Sequence, residues 1–137
     1  MSKNPLSATG SQPERVGTAA CVVELRGELD LLSAPLATAR LDPLTSGPCP
    51  DIVLDMRKVT FIDCTGLGVL CRARSRARAR YGRLRLVTDD PGLLRILRHT
   101  GLGGVFDVHP RLPDALVPPK GRGRRPVSVD LIGATTV

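Results

Sequence analysis

Aromatic residues are nearly absent from this chain, which has one Tyr, two Phe and no Trp in 137 residues. A core built from it is aliphatic, and a surface meant to stack nucleic-acid bases has almost nothing to stack them on. Long apolar runs are missing too. No stretch reaches the roughly 18 uninterrupted apolar residues that cross a bilayer. The opening Met1-Ser2-Lys3-Asn4-Pro5 leads into polar sequence without the apolar centre of a signal peptide, so a cytoplasmic location is expected. Cys21, Cys49, Cys64 and Cys71 include no C-x-x-C pair, which points away from a zinc site and from a disulfide scaffold. On one helix, Cys64 and Cys71 would stand about 10.5 Å apart along the axis. That exceeds the roughly 7 Å that a disulfide spans between Cα atoms. Neither His99 nor His109 has a Cys or carboxylate at ligand or catalytic spacing, so no metal or other cofactor is expected, and His99 suits a helix end.

What is present fits a single small domain. Hydrophobic residues make up 42% and charged residues 24% of the chain, the balance of a globular protein. The formal charge of +7 makes nucleic acid the first partner to weigh, but its distribution argues against that partner. Residues 1–19 carry two bases against one acid, residues 115–137 four against one, and residues 20–114 fourteen against eleven. Five of those fourteen are Arg72, Arg74, Arg76, Arg78 and Arg80. Alternate helical positions step by about 200°, so Arg72, Arg76 and Arg80 fall on one side and Arg74 and Arg78 on another. A solvated face whose long stems cover apolar surface is the preferred reading over a nucleic-acid contact.

Residues 1–19 and 118–137 show no sustained periodicity and are read as a flexible N-terminal arm and a flexible basic C-terminal tail around a domain at 20–117. Val127-Ser128-Val129-Asp130-Leu131-Ile132 could pair as a short strand, but nothing beside it supports one, and it is left unassigned. Inside the domain, strand and helix alternate. Residues 20–25 are β-rich, and Gly27-Glu28-Leu29-Asp30 turns away toward Ser33, an N-cap for a helix over 34–41 that Asp42-Pro43 ends. Residues 51–56 read as a buried strand leading through 57–62 to Asp63. A helix follows from Thr65 to about Tyr81, with Leu67, Leu70, Ala73 and Ala77 on one face and Gly82 as its stop. Residues 83–88 alternate as a half-exposed strand. Asp89 or Asp90 caps a helix over 91–100, residues 105–108 form a last strand, and Pro113 starts a short terminal helix. The expected class is α/β with a mostly parallel sheet.

Gly66-Leu67-Gly68 follows a strand and opens a helix, but Cys71 stands where a dinucleotide fingerprint has its third glycine. Gly101-Leu102-Gly103-Gly104 follows a helix, where capping explains it. The most informative segment is Thr60-Phe61-Ile62-Asp63-Cys64-Thr65-Gly66-Leu67-Gly68-Val69-Leu70, which puts small polar groups at a helix N-terminus. Free amides and the positive dipole end favour an anion there, while Asp63 or Thr65 acting simply as a cap explains the same residues.

With these residues the chain resembles the STAS-domain anti-sigma-factor antagonists, whose hallmark is a hydrophobic strand, then Asp-Ser-(Ser/Thr)-Gly-Leu, then a helix. Here it reads Phe61-Ile62-Asp63-Cys64-Thr65-Gly66-Leu67. The likeness covers about residues 20–114, including Gly27-Glu28-Leu29-Asp30 and Leu97-Arg98-His99-Thr100-Gly101-Leu102. It implies a STAS-like mixed, mostly parallel sheet with helices packed largely on one side, and a non-enzymatic module. It also implies binding to an anti-sigma factor, commonly a serine-kinase ATPase, that frees a sigma factor for RNA polymerase. Asp30, Asp63, Cys64, Thr65, Gly66 and Leu67 would then form the partner surface, with the arginines of the second helix steering an acidic partner.

The family's phospho-acceptor Ser directly follows the Asp, and its modification adds roughly −1.5 to −2 charge at the docking surface. Cys64 occupies that position here. Three outcomes stay open: constitutive antagonism, which is preferred, phosphorylation moved to Thr65, or a redox-sensitive Cys64. For the last, a helix N-terminus favours thiolate while burial and Asp63 oppose it. The competing readings are a STAS scaffold in another signalling complex and, behind it, nucleic-acid binding through the basic helix and tail. A thiol enzyme is last, because no motif places a base near Cys64.

Overall fold

The structure, a computed structural model, describes residues 20–112 and 127–132. The expected N-terminal arm and the helix expected from Pro113 lie outside the described residues. Strand β1 (Cys21–Leu29) leads to helix α1 (Ala34–Leu41), and a 3-10 turn at Pro43–Thr45 precedes β2 (Asp51–Ile62). Then come α2 (Cys64–Ala79), β3 (Arg83–Val87), α3 (Pro91–His99), β4 (Asp107–His109) and β5 (Val127–Asp130). The strands lie in the order β4-β3-β2-β1-β5, and every pairing among the described residues is parallel, so the mostly parallel sheet expected is parallel throughout.

From β1 to β4 each crossover steps the same way across the sheet, and crossovers of one hand stepping one way put all three helices on one face. The core shows it. Ala37 and Leu41 of α1, Leu67, Leu70, Ala73 and Ala77 of α2, and Leu93 and Leu97 of α3 pack on Val23, Leu25, Ile52, Leu54, Met56, Leu84 and Leu86. Alternate strand residues point the other way, where Val22, Val53 and Val87 form a small second cluster with Ala20 and Leu112. Around it the open face carries paired charge: Arg57 with Asp55 at 2.7 Å, Lys58 with Glu24 at 3.3 Å, and Arg85 with Asp51.

Three local expectations change. Residues 27–29 do not turn away from β1 but extend it beside β2, through register shifts between Glu24 and Arg26 and between Gly27 and Glu28. Gly27 has φ +102°, a conformation that glycine adopts without strain. Ser33 stands at the N-cap position of α1 as expected, but its hydroxyl donates to Glu28 O at 2.6 Å instead of capping the helix. The flexible tail expected over 118–137 does not hold for residues 127–132. There β5 pairs with β1 from Val23↔Val127 to Arg26↔Asp130, and the Leu131 amide donates to Arg26 O at 2.8 Å. Val129 and Leu131 are buried in the main core, and that burial, about 2 kcal/mol per aliphatic side chain, is what holds the segment on the sheet.

Candidate functional site

In a parallel sheet, the loops beyond the carboxyl ends of the strands gather side chains from distant sequence positions. Here β1 and β2 end side by side, with Leu29 paired to Ile62. The 30–33 loop and the start of α2 therefore emerge together.

Asp63 joins them. Its Oδ1 accepts from the Gly66 amide at 2.9 Å, capping α2, and its Oδ2 accepts from the Leu31 amide at 3.2 Å. Its own amide donates to Leu29 O at 3.3 Å. Asp30 orders the facing loop: Oδ1 accepts from the Leu32 and Ser33 amides, each at 3.0 Å. The two carboxylates expected at the site are thus brought to one place, and both are spent on backbone amides. This geometry forces two hydrophobic side chains outward. Leu31 is 68% exposed and Leu32 58%, and Phe61, near the end of the neighbouring strand, is 52% exposed, with Cys64 and Thr65 exposed at the head of α2.

Of the residues expected at the partner surface, Gly66 and Leu67 are buried at the head of α2, where Leu67 anchors the helix in the core. Gly66 packs against the protein itself: a Cβ there would meet the Leu29 carbonyl oxygen and lie 2.8 Å from Ile62 Cγ1. Leu31, Leu32 and Phe61 lie on the surface. Phe61 was readable from strand alternation, since a buried Ile62 sends its neighbour outward. Leu31 and Leu32 were readable only as an apolar pair inside a turn.

The arginine helix is also partly spoken for. Arg72 makes a two-pronged contact with Asp42, Nε to Oδ1 at 3.1 Å and Nη2 to Oδ2 at 2.8 Å. The hydrogen bond from Arg72, together with the charges of Arg72 and Arg76, lowers the Asp42 carboxyl below its usual range against the opposing effect of burial. Arg76 donates to Thr45 Oγ1 at 2.9 Å, to Asp42 O at 3.1 Å and to Ser46 Oγ at 3.1 Å. Both fasten the turn after α1 to α2. For Arg74, Arg78 and Arg80 no ion pair occurs among the described residues.

No disulfide joins the four cysteines, and Cys64 is the exposed one. Among the described residues no group of three or more His, Cys, Asp or Glu could hold a metal ion. Nor is any helix there long and apolar enough to cross a membrane.

The STAS domain family matches residues 12–115, and this chain belongs to it. The anti-sigma-B factor antagonist of Bacillus subtilis is 31% identical over 86 residues, covering 63% of this chain and 78% of that protein. The anti-sigma-F factor antagonist RsfA of Mycobacterium tuberculosis is 30% identical over 100 residues, covering 71% and 77%. In structure, the chain is similar to a putative anti-sigma factor antagonist from Thermotoga maritima, with a TM-score of 0.60 at 24% identity, over 66% of this chain and 79% of that one. These relatives are regulatory binding proteins rather than enzymes, and the chain is one of that class.

Proposed function

We propose that this chain is a cytoplasmic anti-sigma factor antagonist that docks through Leu31, Leu32, Phe61, Cys64 and Thr65. The observation that carries the reading is the exposure of Leu31 and Leu32 on a loop that Asp30 and Asp63 hold beside the head of α2. Apolar side chains gathered on an ordered loop beside a helix start are the composition of a protein-binding surface. The names of the relatives support the kind of partner, an anti-sigma factor. We take it to be of the serine-kinase ATPase type, and its capture to free a sigma factor for RNA polymerase.

A thiol stands where the resemblance expects the acceptor hydroxyl, so the antagonist is constitutive toward such a kinase. Thr65 is the neighbouring exposed hydroxyl. The test mixes the purified chain with each kinase-type anti-sigma factor of its own organism, with and without Mg-ATP. Stable binding to one of them, no phosphate incorporated into the wild type, and phosphate incorporated into Cys64→Ser are expected. Binding to none overturns the partner assignment. Phosphate on wild-type Thr65, lost in Thr65→Ala, overturns constitutive binding while leaving the partner in place.

A further inference from the structure

Strand β5 lies beyond residues 12–115, the part of the chain that the STAS family matches. Among the described strands it is the one that occupies the outer edge of β1 and pairs that edge's amides and carbonyls. It seats buried Val129 and Leu131 on the helix-bearing face and stops beside Gly27, where the pairing of β1 with β2 shifts register. The fit at that point is close. A Cβ on Gly27 would lie 2.9 Å from Ile132 Cγ1 and 3.1 Å from the Ile132 amide nitrogen, so β1 must carry glycine for the tail to dock. The Asp130 carboxylate turns the chain there, its Oδ1 accepting from the Ile132 amide at 3.0 Å.

The next two residues of β1 anchor the exposed loop. Glu28 O accepts from Ser33 Oγ, and Leu29 O accepts from the Asp63 amide. The docked tail and the 30–33 loop thus grip the same short piece of strand from its two ends, which gives a contiguous physical link between them. We propose that residues 127–132 are a strand ligand held in cis on the outer edge of β1, and that their docking against Gly27 fixes the 30–33 loop. The ligand class is an extended segment with an apolar residue at every second position, added to a sheet edge. The consequence for partner affinity rests on the function proposed above, whereas the consequence for the loop does not.

Amide hydrogen exchange on the full-length Leu131→Asp variant tests both parts without any partner. Exchange in residues 127–131 and at Leu31, Leu32 and Ser33 should accelerate by about tenfold or more, while Leu84 and Leu86 of β3 keep wild-type protection. A synthetic peptide of residues 126–137, added in excess, should bind this variant and slow the loop again. The wild type, whose edge is filled, should not take up the peptide. Ile132→Gly leaves Leu131 in place and removes the side chain that meets Gly27, so it should loosen the loop while β5 stays protected. A free β5 with an unchanged 30–33 loop overturns the link to the loop. Loss of protection at Leu84 and Leu86 in both Leu131→Asp and the milder Leu131→Ala overturns the ligand description, since β5 would then be inseparable from the core. If the loop loosens as expected but no anti-sigma factor binds, the function fails and this inference stands.

Discussion

Gly66 and Gly68 stand two positions apart on α2 and respond to opposite demands. Gly66 faces Leu29 O and Ile62, with no room for a methyl group, whereas nothing lies within 4 Å of a Cβ built on Gly68. Gly66→Ala is therefore expected to destabilise the domain by about 3 kcal/mol, by driving α2 away from the end of β1. Gly68→Ala in the same helix should stabilise it by about 0.5–1 kcal/mol, through helix propensity alone. Urea unfolding midpoints of the two single variants check the pair, and equal effects of one sign would contradict the packing described. From sequence the two glycines looked alike. What separates them is the carbonyl of a residue far upstream, which no local pattern reports. Asp63 was readable as a cap because capping depends only on the three residues that follow it. Its second bond, to the Leu31 amide, was not.

Among the elements, α2 shows how one arginine series divides between structure and surface. Arg76 serves three oxygens of the turn after α1, one of them the hydroxyl of buried Thr45. Arg76→Ala should lower stability by about 1–2 kcal/mol. Arg78→Ala, with no ion pair among the described residues, should stay within about 0.5 kcal/mol of wild type. Thermal unfolding of both proteins distinguishes them, and similar losses would mean that the turn does not depend on Arg76. Most elements were legible because their signals are local. Pro91 and the Asp90 cap mark α3, where Asp90 Oδ2 accepts from the Leu93 amide at 2.9 Å, and Gly82 follows α2. β2 runs on to Ile62, past the strand expected over 51–56, because residues 57–62 stay paired beside β1. β5 was not legible, because four residues of alternation carry little information and its partner strand is near the other end of the sequence. The turn expected at residues 27–30 failed for a related reason: Gly27, at φ +102°, stays in a strand paired with β2, whose extra residue Thr60 takes up the register shift, and only the pairing reveals it.

For the molecule as a whole, the open face of the sheet ties stability to pH. Burial pushes the Asp55 carboxyl up, but the hydrogen bonds from the Arg57 side chain and amide, with the charges of Arg57 and Lys58, outweigh it and leave the carboxyl below its ordinary 3.8. Arg57 is raised in return, first by its hydrogen bond to Asp55. A carboxyl depressed in the folded chain contributes stability that is complete above its unfolded value and is lost as pH falls through its folded one. The domain should therefore weaken below about pH 4, and Asp55→Asn should weaken less steeply over that range while starting from a lower stability at neutral pH. Urea midpoints measured at pH 7 and at about pH 3 give the comparison, and parallel slopes for the two proteins would remove Asp55 from the acid response. The position of β5 has a consequence in time as well. Among the described strands β1 is made first and β5 last, yet they are neighbours in the sheet. While the chain grows at about 5–20 residues per second, the stretch of β1 that pairs with β5 waits for residues 127–130 to be made, so a nascent chain lacks a pairing that the folded domain has. Ribosomes stalled before residue 127 would hold a domain prone to pairing with its neighbours on the same message.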